Sequence, residues 1–476
     1  MNQLFIDIPA FLPKEKQLSE SGMKDKHGLL TGPIDQTLKN MTIPMVFGLV
    51  AILAFSLVDT FFISLLGTEA LAAVSFTFPI TFAVNCITMG ISVGISTSVA
   101  RLLGRNALTE AARVSGHGLL LAILLVFAAS MLGLANIDPL FRLLGAKETL
   151  LPLIHDYMQV WYLTIPLLVI PMAGNSAIRA TGDTKTPAKI MIVAGIINGV
   201  LDPLLIFGLG PFPELGVQGA AIASAISWAG ALLCSLYVLV KREKLLAWPS
   251  PTKIWQDWKD ILAIGTPAAL SNALNPIFGA ILMAMLASQG TASVAAYGAA
   301  QRIESLLLIV MMALTSSLTP LMAQNFGAGN LSRAFEALFR AMRFSILFQL
   351  IIFVAMVPLS HPIATLFSQE PAVQEKLWHY LLVVPASYGL QGIMMMLVSA
   401  LNALKKPGLA FIMNLMRLFV LLLPLAWIGG LLDQTEGMFI GIAIANAING
   451  VIAYFAALAL RKNTLVSDHA TFASGK

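Results

Sequence analysis

The stretch LAFSLVDTFFISLLGTEALAA, Leu53 to Ala73, carries one apolar run through a glycine into the next and holds a single carboxylate, Asp59, within the first. An ionised carboxylate in hydrocarbon costs several kcal/mol, so Asp59 needs a reason to be there. The surrounding chain says what kind of protein tolerates it. Of its 476 residues 58% are hydrophobic and only 11% charged, against roughly 25% charged in a soluble domain. Apolar runs of bilayer-spanning length recur from end to end.

Twelve such runs are predicted. The first six cover 40–66, 71–100, 112–134, 153–178, 187–209 and 216–240. The second six cover 259–288, 293–323, 337–361, 376–401, 407–430 and 437–460. A chain in lipid must satisfy its own backbone, and the alternating polarity of a barrel is absent, so each run reads as a helix. With the N-terminus inside, inside segments hold 24 lysines and arginines and outside loops hold 3, namely Arg142, Lys147 and Lys376. That bias places both termini in the cytoplasm. The small excess of basic residues reflects this membrane topology, and no nucleic-acid partner is expected. Cys86 and Cys234 both lie in apolar runs and suggest neither a disulfide nor a metal site.

The stretch itself repeats. GTEALAA at Gly67–Ala73 returns as GTASVAA at Gly290–Ala296, Pro44 returns as Pro267, and Gly104 as Gly327, each 223 positions on. Further on, TGDTKTP ending at Pro187 matches LNALKKP ending at Pro407 with a small shift. Six spans return the chain to its starting side, so the halves share one topology. The expected fold is an all-α integral membrane protein with twelve helices in two pseudo-symmetric six-helix bundles around a central cleft. The expected segments are a tail 1–35, a lobe 36–240, a basic amphipathic linker 241–258 at the membrane surface, a lobe 259–461 and a tail 462–476. A monomer is expected, with membrane lipids as its surroundings. GISVG at Gly90–Gly94 suits close helix packing.

The repeat separates shared scaffold from private chemistry. Asp59 corresponds to Leu282, and the other acid of the first half, Asp202, corresponds to a position near Leu422. Asp59 lies eight residues before Gly67, and Asp202 eight before Gly210. Each therefore sits roughly 12 Å inside the same end of its helix. Asn198 is one turn from Asp202 on the same face, and Tyr157 enters on the fourth span at a similar depth. Two carboxylates withdrawn from water repel as anions, so a shared proton or a monovalent cation is favoured between them. The bland alternative is interhelical hydrogen bonding. Pro44, inside the first span, frees a backbone carbonyl and marks a candidate bend. In the second half Asn272, Gln301, Arg302, Met311, Asn414 and Arg417 are candidate cavity-lining residues, as is Ser224 in the first. Arg302 and Glu304 are two apart, so each needs another partner.

Asn198 and Asp202 echo an N-D-x-x-D diphosphate motif. Gly199, Val200 and Leu201 between them are apolar, and no second acidic motif follows. No enzyme activity, metal or cofactor is therefore expected.

Taken together, LVDTFFISLLGTEALAA, IRATGDTKTPAK, NGVLDPLLIFG, GVQGAAIASAIS and MAQNFGAGN carry a resemblance to the multidrug and toxic compound extrusion (MATE) transporters over all twelve spans. Asp59, Asn198, Asp202, Tyr157 and Pro44 resemble the DinF-like branch, whose coupling acids lie in the N-terminal half. A threonine of that branch falls at Ala220 here, with Ser224 one turn on. The resemblance implies an inner-membrane antiporter: an organic cation or amphipathic drug leaves by alternating access as H⁺, or Na⁺, enters. A lipid or amphiphile flippase of the same wider superfamily is the alternative. It favours basic cavities, for which only Arg302 and Arg417 are available.

Overall fold

The computed structural model describes Asp25, residues 27–247 and residues 249–473. Most of the expected N-terminal tail and the last three residues of the C-terminal tail lie outside them. Among the described residues there is no strand. The first half forms α1 (Ile34–Leu65), α2 (Thr68–Gly104), α3 (Leu108–Ala135), a short α4 (Ile137–Leu143), α5 (Leu151–Ala180), α6 (Lys185–Ile206) and α7 (Gly216–Tyr237). The second forms α8 (Ile254–Ala287), α9 (Thr291–Leu307), α10 (Ile309–Gly327), α11 (Leu331–Phe367), α12 (Pro371–Val383), α13 (Tyr388–Ala403), α14 (Pro407–Leu415) and α15 (Leu423–Ala473).

These helices make the twelve expected passes, with three irregularities in the second half. The eighth is bent by 45° between α9 and α10. No proline sits at the break; instead Gln349 of α11 donates to the Leu307 carbonyl at 3.0 Å, taking up a backbone acceptor there. The tenth is interrupted by a 3₁₀ turn, Val384–Ser387, at Pro385. The eleventh contains a π-helical stretch, Met416–Leu422. The eleventh and twelfth run together as one long helical segment until Asp433 and Gln434 leave helical geometry. Gly437 comes against Gly429, and Gly441 against Leu425. Residues equidistant from the turn thus face each other, as in an antiparallel hairpin.

The repeat is written in the backbone. Gly67 and Gly290, 223 apart, precede α2 and α9 with φ of 110° and 117°, a conformation that glycine alone adopts without strain. Asn106 and Gly329, and Gly182 and Lys405, keep the same spacing and also have positive φ. The turn before the fifth and eleventh passes therefore holds the 223 register. The sequence match of Pro187 to Pro407, 220 apart, does not.

The chain divides into two compact units between Ala269 and Leu270, inside α8, with Pro33–Leu38 assigned to the second. The start of α8 packs within the first unit. Gly90 and Gly94 of α2 face the backbone of Gly265 and Ile261 so closely that a Cβ at either would clash. The linker is tied down as well. Asp257 accepts from Arg113 at 2.9 Å and from His117 Nδ1 at 2.7 Å. Ser250 N–H donates to His117 Nε2 at 2.9 Å, and Trp258 Nε1 donates to the His117 carbonyl at 2.8 Å. Because Nε2 accepts, Nδ1 carries the ring proton. Lys259 lies over the Trp255 ring, 5.3 Å from its centroid.

Candidate functional site

The site begins with how α1 and α6 lie together. Thr184 Oγ1 donates to the Met41 carbonyl at 2.7 Å. Gly48 sits on Ala188, and the Phe55 ring is seated on Gly195, where any side chain would overlap it. At the far end Ile63 and Ile206 share a buried cluster with Ala220 of α7. The Phe62 and Phe207 rings meet there edge to face, 6.3 Å between centroids. Partner numbers differ by 143 at Met41 and Thr184, by 140 at Phe55 and Gly195, and by 143 again at Ile63 and Ile206. The helices are thus parallel and in register. Asp59 and Asp202 also differ by 143, so the packing that seats Phe55 and Ile63 sets the two acids level on adjacent helices.

Asp202 is fully buried. Its Oδ1 accepts from Asn198 Nδ2 at 3.1 Å, and the same amide reaches Ser224 Oγ on α7 at 3.3 Å. Asp202 Oδ2 and Asp59 Oδ1 are buried with no hydrogen-bond partner among the described residues. The charges of Asp59 and Asp202 act on each other, and both act on Tyr157 of α5. The first half therefore gathers Asp59, Asp202, Asn198, Ser224 and Tyr157. It leaves one bare oxygen on each carboxylate, a donor-poor arrangement that a proton or a small cation completes. Ala220, at the threonine position of the resemblance, packs in the neighbouring apolar cluster instead. Pro44 lies inside an unbroken α1, where its ring removes the hydrogen bond to the Asn40 carbonyl.

The second-half candidates lie in the second unit, each in surroundings of its own. Asn414 is buried and ties α14 to α8 through the Ser271 carbonyl at 3.1 Å. Asn272, beside Ser271, is half-buried, and Met311 is wholly buried in the core. Gln301 donates to the Tyr297 hydroxyl. Arg302 is exposed. Arg417 reaches Asn275 Oδ1 at 3.3 Å, and its Nε is buried without a partner.

Sequence reasoning missed what holds Glu304. Tyr380 donates to Glu304 Oε2 at 2.6 Å, and the Tyr388 hydroxyl lies 3.5 Å from that of Tyr380. Tyr388 and Gln391 also reach the same carboxylate, and the Arg417 charge faces it. The two tyrosines flank the 3₁₀ turn of the tenth pass, so α-helical periodicity read from the sequence does not pair them.

The motif IRATGDTKTPAK is explained by its turn. Asp183 accepts from the Thr186 backbone at 3.0 Å and its hydroxyl at 2.6 Å, holding the first turn of α6. The Arg242 guanidinium closes on the same carboxylate. Burial pushes the Asp183 carboxyl up, but the Thr186 hydrogen bonds and the Arg242 charge outweigh it and hold it below the usual carboxylate range.

The sequence profile of the family described as MatE matches residues 44–204 and 267–428, the two repeats. A protein of Shewanella oneidensis named "FAD transporter" is 48% identical over 91% of this chain and 97% of its own length. "Multidrug export protein MepA" of Staphylococcus aureus is 27% identical over 91% of this chain and 96% of its own. Among solved structures, the Vibrio cholerae MATE transporter VcmN in the bent form superposes with a TM-score of 0.87 and 31% identity, covering 90% of this chain and 97% of that one.

Proposed function

This chain belongs to the MATE family of transporters, and we propose that it is a proton-coupled antiporter of the DinF-like branch that exports FAD across the cytoplasmic membrane, with both termini inside. The observation that carries the coupling is the pair Asp59 and Asp202, level on adjacent helices with one bare oxygen each. Protonating the pair removes their repulsion and supplies the missing donors. Deprotonation restores the repulsion, so proton binding is linked to the packing of α1 on α6. Pro44, in the same α1, is the point where that helix already lacks a backbone hydrogen bond and bends most readily. Carboxylate, amide and hydroxyl oxygens also suit Na⁺, so the ion is decided by experiment.

The FAD assignment rests on the 48% identical relative that bears that name. FAD is a diphosphate anion, and Arg302, exposed on the eighth pass with no acidic partner among the described residues, suits it. A second reading, export of amphipathic drugs or organic cations, is favoured by the MepA relative and by how few charges the passes contain.

The test is transport in proteoliposomes under separately imposed pH and Na⁺ gradients. FAD efflux driven by an inward proton gradient, and abolished by Asp59→Asn, is expected. FAD flux indifferent to both gradients overturns the coupling. No FAD flux alongside proton-driven movement of an organic cation replaces the substrate with the second reading.

A further inference from the structure

Within the second unit, α11 and the last part of α15 leave between them a groove of ≈ 1230 Å³. Its rim is basic and its walls are apolar. Arg340, Arg343 and Arg461 stand on the rim. Arg340 is answered by Glu336 at 2.6 Å and by Asp35. Arg343 and Arg461 have no acidic partner among the described residues. Arg461 lies instead over the Phe339 ring, 5.9 Å from its centroid. That ring also meets Tyr454 edge to face at 6.0 Å, tying the two helices together at the rim.

Beyond the rim the walls are Phe344 and Leu347 of α11 and Phe455 of α15, which are 44%, 62% and 63% exposed. A patch of this kind on a membrane-spanning chain faces acyl chains, and the arginines mark the level where the apolar runs end. We infer that the groove is a binding site for an anionic phospholipid. The phosphate sits between Arg343 and Arg461, and an acyl chain lies along Phe344, Leu347 and Phe455. Guanidinium pairs recognise phosphate oxygens well, and basic pockets between helix ends suit anionic headgroups. A zwitterionic lipid offsets its own phosphate with an amine and leaves the two free arginines under-compensated. A protein partner would have to bring acidic side chains to the border of an apolar groove that lipid already surrounds. The inference does not depend on the cargo or the coupling ion.

The test is native mass spectrometry of the intact protein from micelles holding equimolar phosphatidylglycerol and phosphatidylcholine. Selective retention of phosphatidylglycerol is expected. In the double variant Arg343→Gln/Arg461→Gln its affinity should fall roughly thirtyfold, while Arg105→Gln in the first unit leaves it unchanged. Leu347→Trp, on an exposed wall, keeps the rim charges but fills the acyl seat, and should also weaken retention. Equal retention of both lipids, or no loss in the double variant, overturns the site. Displacement of phosphatidylglycerol by inorganic phosphate with no effect of Leu347→Trp makes it a free-anion site and overturns the lipid. A dimer lost in the same variants gives the groove to a second copy and likewise overturns it.

Discussion

The two halves share a backbone plan and treat a carboxylate inside it in opposite ways. In the first half Asp59 and Asp202 stand on regular helices, and each keeps a bare oxygen. In the second half Glu304 is enclosed by Tyr380, Tyr388 and Gln391 and faced by Arg417. The helices around Glu304 are interrupted: the break at Leu308, the 3₁₀ turn before Tyr388 and the π-helical stretch carrying Arg417 all belong to its network. Duplication supplied the scaffold, and each half then solved the buried charge differently. One left a buried oxygen of each acid without a donor, the feature on which the proposed ion coupling rests. The other surrounded the acid with hydroxyl and amide partners.

The largest expected effect tests the incomplete acids. Asp59→Asn and Asp202→Asn should each reduce gradient-driven flux to the uncoupled leak, whereas Glu304→Gln, which still accepts from Tyr380, should leave coupled flux in place. Flux assays on the three variants check this, and loss of coupling in Glu304→Gln alone would reverse the comparison. Next comes stability. Glu304→Leu strands the Tyr380 hydroxyl and the Arg417 charge, at about 1–3 kcal/mol for each unsatisfied group. Thermal unfolding in detergent should show a large drop, of which Glu304→Gln restores the share due to the Tyr380 hydrogen bond and not the share due to the Arg417 charge.

A smaller effect is expected at Asn198, whose amide joins Asp202 to Ser224. Asn198→Ala should shift the apparent affinity for the coupling ion by roughly tenfold, the worth of a hydrogen bond to a charged group, without abolishing flux. The pH dependence of flux at fixed substrate measures it.

The smallest concerns Asp183, which lies in a loop and accepts hydrogen bonds on both carboxylate oxygens. Its carboxyl is held below the usual range. Its contribution to stability is therefore complete above the unfolded-state value and drains away as pH falls through the folded one. Asp183→Ala should cost about 1 kcal/mol near neutrality, as a lost helix cap does, and the gap from the native protein should narrow on acidification. A gap that widens in acid would contradict the assigned direction.

Much of this was legible before any coordinates. Length and apolarity dictate membrane helices because lipid offers no partner for a bare backbone. The offset of 223 exposed the duplication, and the eight-residue distances from Gly67 and Gly210 put Asp59 and Asp202 at one depth. Depth along a helix is a one-dimensional quantity, and a sequence records it. Which helices are neighbours, and which faces they turn to each other, is not written that way. Only the packed structure shows Phe55 on Gly195 and the parallel register, constant to within one turn, that sets Asp59 level with Asp202. Only it shows Ser224 within reach of Asn198 while Met311 is core. The partners of Glu304 come from the tenth and eleventh passes, and the linker is held by His117, far away in the chain.

Local chemistry thus determined the helices, their number and their order, because a helix in lipid closes its own hydrogen bonds within four residues. The tertiary structure decided which acid stays incomplete and which is enclosed. That depends on side chains brought together across spans, where contact distance and direction rule and sequence separation does not.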